Sequence, residues 1–256
     1  MKINTVLIHE IAATLNGRAI RISNQHSRIP APGEYFLAFA PGSNQVLSVA
    51  LFPYEIDPET LTLCGTFPGE WQPGTSINIQ GPLGNGFHPP SIAGKIALLA
   101  TDVSLSDRLY ALMLQSLSHG LAVAWVADAI PEQFPPLVEL LESSDLLEAV
   151  KWSDYTAAAS TLTRLGTLIN TFDRHAELKK KVDVLIGTPM VCGNARCGVC
   201  AVETKKSWKL ACKDGPVFNL EEVVSGRYPP AARCVIPLYE CVQLLRLHAT
   251  CFQHAH

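Results

Sequence analysis

Four cysteines in the last third of the chain have the types and spacing that could do chemistry. Cys192, Cys197 and Cys200 lie close together, and Cys212 follows after eleven intervening residues, which gives the pattern C-x4-C-x2-C-x11-C. Thiolates are strong ligands for soft metal ions, and several in a short segment can surround one metal centre. The sequence therefore predicts a metal site on these four residues.

The spacing also distinguishes between the metal centres that such a site could hold. Three cysteines in C-x4-C-x2-C, with a distant fourth, hold a [2Fe–2S] cluster in plant-type ferredoxins. Structural zinc sites usually show paired C-x2-C knuckles, and here only Cys197 and Cys200 form one. Gly193 and Gly198 can adopt the positive φ angles that a loop around a cluster requires. We expect a [2Fe–2S] cluster and one-electron transfer, with a zinc site or unliganded thiols as the alternatives.

The composition limits the class of protein. The 256 residues are 48% hydrophobic and 17% charged, which indicates a globular protein with a sizeable core. The net charge of −3 and the lack of a basic block argue against a nucleic-acid partner. We see no apolar run of membrane-spanning length and no signal peptide, and eight cysteines fit a reducing cytoplasm. We therefore expect a cytoplasmic protein without a membrane span.

Residues 1–90 have the pattern of a small antiparallel β-barrel. Short β-branched or alternating runs recur, and turn signals such as Asn16-Gly17 and Pro41-Gly42 separate them. The predicted strands are Ile3–His9, Ala19–Ser23, Tyr35–Ala40, Gln45–Leu51, Thr60–Cys64 and Ser76–Gln80. We expect Cys64 to belong to the barrel core.

Residues 91–187 alternate between strand and helix patterns, which is typical of a parallel α/β sheet. The predicted strands are Lys95–Ala100, Leu121–Asp128, Leu147–Trp152 and Val182–Ile186. The predicted helices are one that begins at an N-cap on Ser104 and ends at Gly120, one over Pro135–Glu142 and one over Tyr155–Ile169.

The cysteine module extends over residues 188–228, and a helical tail follows over 229–256. Pro229-Pro230 interrupts the chain, and Leu238–Gln253 has a helical pattern. Cys234, Cys241, Cys251, His248, His254 and His256 crowd this tail. A second metal site there is one interpretation, but the helical spacing of Cys241 and His248 with their apolar neighbours favours a packing face.

Two stretches of the chain carry a resemblance to a known family. Gly81-Pro82-Leu83-Gly84-Asn85-Gly86-Phe87 is one, and the segment from Met190 to Cys200, continued by Ala211–Phe218, is the other. Together with the order of barrel, α/β domain and cysteine module, they resemble the electron-transfer subunit of dihydroorotate dehydrogenase type B, among the ferredoxin reductase-like flavoproteins. The resemblance implies FAD on the barrel, NAD(H) on the nucleotide-type α/β domain, and a cluster that passes electrons to a flavin-carrying partner subunit.

The sequence departs from that family where FAD would bind. The family has an Arg-Pro-x-Ser stretch on a barrel strand, whereas Gln45–Pro53 contains neither Arg nor Lys. A diphosphate without a cation or a helix N-terminus is poorly compensated. Gly65 and Thr66 are candidates for the family's later flavin contact, although a plain hairpin explains them equally well. FAD is left open, and we expect no normally held FAD.

A second departure concerns the nicotinamide site. The family's glycine-rich loop is replaced by Leu98–Leu105, which has no glycine and carries Asp102 where a phosphate should lie. The family's Cys-Gly-Pro motif has no counterpart, since Trp152-Ser153-Asp154 stands in its place and the domain lacks one βα unit. We therefore do not expect NAD(H) binding.

These features together predict an electron-transfer subunit rather than an independent enzyme. Its cluster would relay single electrons to or from a flavin- or metal-containing oxidoreductase subunit in a hetero-oligomer. One alternative is an FAD-containing reductase subunit that uses NADH. Another is a non-redox assembly subunit with a zinc-filled or vestigial cysteine site. Arg196, Lys205, Lys206, Lys209 and Trp208 are either partner contacts or ordinary solvated residues.

Overall fold

The computed structural model describes residues 3–25, 28–42, 47–128 and 134–224. The predicted helix Leu238–Gln253 and the cysteines and histidines of the tail lie outside these ranges. The described helices are all too short or too polar to cross a lipid bilayer.

The first part of the chain forms one antiparallel sheet of seven strands that curls on itself. The spatial order is β1-β7-β4-β5-β6-β3-β2. A backbone hydrogen bond from His9 N to Arg21 O (2.8 Å) joins the segment after β1 to β3, which brings the two edges of the sheet together. The curl encloses a core of buried side chains that includes Phe36, Leu51 and Trp71. The strands are β1 Ile3–Leu7, β2 Glu10–Ala13, β3 Arg18–Ser23, β4 Tyr35–Phe39, β5 Val49–Ile56, β6 Thr60–Cys64 and β7 Ser76–Leu83.

The predicted antiparallel barrel is confirmed, with one further strand and with shifted ends at several of the predicted strands, among them β7, which extends to Leu83. The short strand β2 was not predicted, and β5 extends to Ile56 instead of ending at Leu51. A proline, Pro53, lies inside β5, where the pairing with β6 shifts register. Proline within a strand usually marks such an irregularity, and it concealed the second half of β5 in the sequence. Cys64 is buried, but in the core that the barrel shares with the parallel sheet rather than in the barrel interior.

The second part of the chain is a parallel sheet with helices on its faces. Its five parallel strands have the order β10-β9-β8-β11-β12. From β8 the chain adds β9 and β10 on one side and then crosses back to add β11 and β12 on the other side. The strand order therefore reverses between β8 and β11. The elements are β8 Lys95–Leu99, a 3-10 turn Val103–Leu105, α1 Asp107–Ser118, β9 Ala122–Val126, β10 Val138–Leu141, a 3-10 turn Ser143–Asp145, α2 Leu146–Trp152, β11 Tyr155–Thr161, α3 Leu162–Thr171, α4 Ala176–Lys179 and β12 Val182–Gly187.

Three predicted elements of this sheet were wrong. The segment predicted as a helix over Pro135–Glu142 contains strand β10, and the predicted strand Leu147–Trp152 is helix α2. The predicted helix Tyr155–Ile169 is strand β11 followed by α3. Short apolar runs do not distinguish a buried strand from a buried helix. The alanines of β11 favour a helix, but the position of this segment in the centre of the sheet makes it a strand.

These corrections change how two motifs are placed. Because β11 is a strand, the sheet has five parallel strands rather than the four predicted, so the inference of a missing βα unit loses its basis. Trp152-Ser153-Asp154 ends α2 and precedes β11, so it does not follow a strand. Helix α1 begins at Asp107 with Ser106 as its N-cap, and the hydroxyl of Ser104 instead donates to Asp102 Oδ1 (2.7 Å).

The cysteine module begins where β12 ends and returns to the same sheet. A loop over residues 188–200 leads into a two-stranded hairpin, and the chain then comes back as an antiparallel strand beside β12. This return fixes the module against the edge of the parallel sheet. Its elements are β13 Ala201–Glu203, β14 Trp208–Leu210, α5 Ala211–Asp214 and β15 Val217–Asn219.

Candidate metal centre

The fold brings the four cysteines of the C-x4-C-x2-C-x11-C pattern together as two pairs. The thiol of Cys197 lies 3.3 Å from Cys192 Sγ. The backbone N–H of Cys212 donates to Cys200 Sγ at 3.5 Å, and the Cys212 thiol also donates to this sulfur. The hairpin β13–β14 makes the second pair, because Cys200 precedes one of its strands and Cys212 follows the other.

The loop that carries the first three cysteines needs left-handed backbone angles. Gly193 has a φ of 59°, Ala195 of 62° and Gly198 of 71°. A Cβ on Gly193 would lie 2.5 Å from Leu37 Cδ1, so a larger residue there requires the Leu37 side chain to move. The positive φ angles expected for Gly193 and Gly198 are confirmed, and they let the backbone N–H groups turn toward sulfur.

Each pair contains one sulfur that ionises readily. Burial acts to raise the pKa of Cys192, but backbone N–H groups of Cys197, Asn194 and Arg196 and the Cys197 thiol lower it to about 6. The Cys212 thiol lowers the pKa of Cys200 against the effect of burial. Burial raises the pKa of Cys197, and donation to Cys200 raises that of Cys212. N–H donors around a thiolate are what stabilises metal–sulfur ligation.

The two pairs differ in their access to solvent. Cys197 is exposed and Cys192 is half-buried, whereas Cys200 and Cys212 are 1% and 3% exposed. The buried pair belongs to an apolar core that also contains Tyr35 and Leu37 of β4 and Leu83 of β7. The site therefore faces solvent on one side and the barrel on the other.

The barrel holds the module through direct hydrogen bonds. Tyr35 donates its hydroxyl to the carbonyl oxygen of Cys212 (3.0 Å). Asn85 donates its backbone N–H to Gly215 O (2.5 Å) and its side-chain amide to Asp214 O (2.9 Å). Gly84, in the same stretch, lies so close to the cysteine module that an added Cβ would be 2.4 Å from Gly215 O. The two motif stretches of the sequence are thus in contact, and sequence reasoning missed Tyr35 because nothing local links it to a cysteine 177 positions away.

Other groupings of metal-binding side chains are not seen in the described ranges. Within them, no group of three or more His, Cys, Asp or Glu side chains is arranged around a single-ion position. Of the further residues singled out from the sequence, Arg196, Lys205 and Lys206 are exposed on the module, and Trp208 is 44% exposed.

The face of β5 that looks toward the parallel sheet is covered by helix α1. The guanidinium of Arg108 lies 4.1 Å from the ring centroid of Phe52. Tyr110 stacks on Tyr54 with centroids 4.1 Å apart and an interplanar angle of 6°. Aromatic stacking and cation–π contacts of this kind close the cleft between the barrel and the parallel sheet with the chain's own side chains.

Hydrogen bonds close the same cleft at its other end. Thr14 donates its hydroxyl to Asp107 Oδ2 (2.6 Å), and the backbone N–H of Asn16 reaches Asp107 Oδ1 (3.2 Å). The side-chain amide of Asn16 also donates to Ser106 Oγ (2.5 Å). Gly65, a candidate flavin contact, packs on β5, where a Cβ would lie 2.9 Å from Ala50 O, and Thr66 is exposed.

The carboxyl edge of the parallel sheet carries a carboxylate of the chain itself. Asp102, after β8, accepts hydrogen bonds from Thr161 N (3.0 Å), Thr161 Oγ1 (2.8 Å) and Ser104 Oγ (2.7 Å). Burial acts to raise the pKa of Asp102, but these bonds and the charge of Arg164 leave it below its usual value. In doubly wound sheets, dinucleotide phosphates bind at this edge. Here the carboxylate of Asp102 accepts the hydrogen bonds of the donors at this edge.

Known proteins share both the module and the fold. Residues 188–224 match the model of the iron-sulfur cluster binding domain of dihydroorotate dehydrogenase B. The dihydroorotate dehydrogenase B (NAD(+)) electron transfer subunit of Clostridium acetobutylicum is 25% identical over 217 residues, covering 75% of this chain and 86% of that protein. The subunit of the same name from Clostridium perfringens is 28% identical over 169 residues, covering 59% of this chain and 67% of that protein.

The solved structure of the NADH-dependent reduced ferredoxin-NADP oxidoreductase shares the fold. It has a TM-score of 0.63 at 17% identity and covers 86% of this chain and 89% of its own. The predicted order of barrel, α/β sheet and cysteine module is confirmed by this similarity. The chain therefore has a ferredoxin reductase-like fold and resembles the electron transfer subunits of dihydroorotate dehydrogenase B, with their iron–sulfur cluster binding domain at residues 188–224.

Proposed function

We propose that this chain is an electron-transfer subunit that holds a [2Fe–2S] cluster on Cys192, Cys197, Cys200 and Cys212. The observation that carries the proposal is the convergence of these four thiols as two pairs, with the Sγ atoms of Cys192 and Cys197 3.3 Å apart. When bound, the cluster would supply one-electron chemistry. The match of residues 188–224 to an iron–sulfur cluster binding domain supports the same conclusion.

The pairing supports two irons better than one zinc. A [2Fe–2S] cluster takes two thiolates per iron, and the chain offers Cys192 with Cys197 and Cys200 with Cys212. A structural zinc site needs one tetrahedral set of four ligands. Backbone N–H groups around Cys192 would favour its thiolate, and Tyr35 would hold the segment of Cys212 in place.

We propose further that the chain itself binds neither FAD nor NAD(H). A flavin between barrel and parallel sheet would have to displace the Tyr54–Tyr110 and Phe52–Arg108 contacts. A dinucleotide at the carboxyl edge of the sheet would bring its phosphates against the carboxylate of Asp102, whose donors are already in use. We infer from these contacts that neither group is held in the usual way, and Gly65 and Thr66 remain the candidate contacts in the FAD-containing alternative.

The partner in this proposal is a flavin- or metal-containing oxidoreductase subunit in the cytoplasm. The relatives are named as electron transfer subunits of dihydroorotate dehydrogenase B, which gives a dihydroorotate-oxidising subunit as the first candidate. In this arrangement the cysteine module carries the cluster, and residues 1–90 and 91–187 support it.

An anaerobic absorption spectrum of the purified chain, with iron and acid-labile sulfide assayed on the same sample, tests the proposal. We expect a cluster spectrum with two irons and two sulfides per chain and no flavin band. A stoichiometric flavin band would restore the FAD-containing, NADH-using alternative. Colourless protein with one zinc per chain would support the assembly-subunit alternative instead.

Cysteine variants assign the ligands within the same assay. We expect each of the variants Cys197→Ala and Cys212→Ala to lose most of its iron. Each substitution removes one thiolate from one of the two pairs and leaves that pair with a single ligand. Cys64→Ala is the matched control, because Cys64 is also a free, buried thiol and the charged groups that act on it are Asp107 and Arg108 rather than the four cysteines. Equal iron loss in all three variants would contradict the assignment.

A further inference from the structure

We propose that the buried hydroxyl of Tyr35 raises the reduction potential of the cluster by fixing the backbone of Cys212, which makes Tyr35 a positioning residue for electron transfer. The inference rests on the proposed function, since it takes Cys212 as one of the four ligands. It goes beyond that function because it concerns how strongly the site holds an electron, not whether a cluster is bound.

The regular helical donor for the carbonyl oxygen of Cys212 is missing. Cys212 lies in α5, which has only four residues. A carbonyl in an α-helix accepts from the N–H four positions further on, and that position is Pro216, which has no N–H. Cys212 is also buried, and a buried carbonyl without a donor is costly. The segment therefore needs a donor from another part of the fold.

Tyr35 of the barrel is such a donor. Its hydroxyl donates to the carbonyl oxygen of Cys212 at 3.0 Å. Tyr35 is fully buried in β4, and its ring lies beside that of Phe52 in β5, with the two centroids 6.2 Å apart. The packing of the barrel thus fixes the direction in which this hydroxyl points.

The hydroxyl also lies within electrostatic reach of the sulfur atoms. Burial and the charges of Cys212, Cys200 and Cys192 raise the pKa of Tyr35. Because the hydroxyl is the donor, the positive end of its O–H bond points toward the segment of Cys212. A dipole in this orientation stabilises negative charge on that side, and its effect is larger in a buried site than in water.

Fixing the carbonyl of Cys212 also orients the N–H of the same residue. This N–H donates to Cys200 Sγ at 3.5 Å, and hydrogen bonds to sulfur help to set the potential of an iron–sulfur cluster. When a bound cluster accepts one electron, the site gains one negative charge, which an N–H directed at sulfur stabilises. Tyr35 therefore acts through Cys212 and itself transfers neither an electron nor a proton.

An anaerobic redox titration of the complete chain, followed by the visible absorption of the cluster, tests the inference. Dithionite is the reductant and viologen dyes are the mediators. At the midpoint potential of the unchanged chain, we expect Tyr35→Phe to lower the ratio of reduced to oxidised cluster about threefold or more. A threefold change corresponds to roughly 30 mV, at about 59 mV per tenfold change for a one-electron couple.

Tyr155→Phe is the matched control for the loss of a buried tyrosine hydroxyl. Tyr155 is also buried, and its hydroxyl donates to Asp183 Oδ2 (2.8 Å). It begins β11 at the amino edge of the parallel sheet, whereas the cysteine module follows the carboxyl end of β12. The control should keep the ratio of reduced to oxidised cluster within about twofold of the unchanged chain. An equal shift in both variants would contradict the inference.

Replacement of Tyr35 by 3-fluorotyrosine, introduced at an amber codon, covers the case in which Tyr35→Phe loses the cluster. Fluorine keeps the ring and makes the phenol a stronger hydrogen-bond donor, so the ratio of reduced to oxidised cluster should rise instead of fall. If the ring acted by packing alone, the two replacements would not shift the potential in opposite directions.

The inference is wrong if the fluorinated chain loses its cluster or has a potential at or below that of the unchanged chain. It is equally wrong if Tyr35→Phe keeps both the cluster and its potential. An unchanged chain that contains no cluster would overturn the proposed function as well, which separates the two failures.

Discussion

Two carboxylates five residues apart, the buried Asp102 and the half-buried Asp107, have opposite pKa shifts. Burial raises the pKa of Asp107, and its bonds to Thr14 and Asn16 only partly offset this effect. Burial acts in the same direction on Asp102, but Ser104 and both donors of Thr161 lower its pKa below the usual value. The hydrogen bonds to Asp102 therefore favour its anionic form, and this carboxylate lies at the edge of the sheet where doubly wound folds accept phosphate.

Replacing Asp102 by asparagine should lower the free energy of unfolding at pH 7 by about 1–3 kcal/mol. The amide has one accepting oxygen where the carboxylate serves three donors. Because the folded pKa is lowered, this stabilisation is present above about pH 4 and is lost as the pH falls through the folded value. Urea unfolding at several pH values should therefore show a difference that narrows below about pH 4.

The exposed Asp145 supplies the control for this experiment. Asp145→Asn removes a carboxylate that the structure places at the surface, and it should change stability by less than about 0.5 kcal/mol. If Asp102→Asn is as stable as the unchanged chain at pH 7, the carboxylate is not an internal substitute for phosphate.

At the level of elements, the packing of helix α1 against strand β5 is the feature that most affects which ligands could bind between the barrel and the parallel sheet. Tyr110→Ala should destabilise the chain by roughly 1–3 kcal/mol, because it removes the ring stacked on Tyr54 at 4.1 Å. Tyr110→Phe keeps the ring and should lose less. Thermal unfolding followed by circular dichroism checks both, and equal losses in the two variants would show that the hydroxyl rather than the stack matters.

At the same scale, the sequence predicted strands better than it predicted helices. Six barrel strands and three strands of the parallel sheet lie where their alternation or apolar runs placed them. Tyr155–Thr161 was misassigned because its alanines carry no strand signal, and its position between β8 and β12 decides its structure. Leu146–Trp152 was misassigned because two helical turns show too few apolar repeats to reveal their period.

The site itself was predictable only as far as local spacing reaches. The C-x4-C-x2-C run and its glycines indicated a sulfur-lined loop without any knowledge of the fold. The wall behind the loop was not predictable, because Tyr35 and Leu37 come from a strand more than 150 residues earlier in the chain. The Tyr54–Tyr110 stack was not predictable either, because it depends on packing between helix α1 and strand β5.

Across the whole molecule, one apolar core joins the barrel wall, the parallel sheet and the cysteine module. The contact between the barrel and the cysteine module is tightest at Gly84, where φ is 73° and a Cβ would lie 2.4 Å from Gly215 O. Gly84→Ala should therefore lower both the free energy of unfolding and the iron content. Gly120 makes a matched control, because its φ is 75° and no atom lies within 4 Å of its Cβ position.

Comparing Gly84→Ala with Gly120→Ala separates the cost of a strained backbone from the loss of contact between the barrel and the cysteine module. Gly120→Ala should cost about 1–2 kcal/mol for the left-handed conformation alone and keep its iron. Gly84→Ala should lose more stability than that, together with iron. Iron and sulfide assays beside urea unfolding give both quantities, and identical behaviour of the two variants would mean that the barrel does not support the site.

The hairpin between Cys200 and Cys212 has a consequence for how the chain can be modified. Its base is fixed by the bond from Ala211 N to Cys200 O (2.9 Å), whereas Lys205, Lys206 and Ser207 at its tip are exposed. The length of the tip does not set the separation of the two sulfur atoms. An affinity tag or a fluorophore-bearing loop inserted between Lys206 and Ser207 would therefore report on the module while leaving its ligands in place, and variation in length among natural sequences should concentrate there.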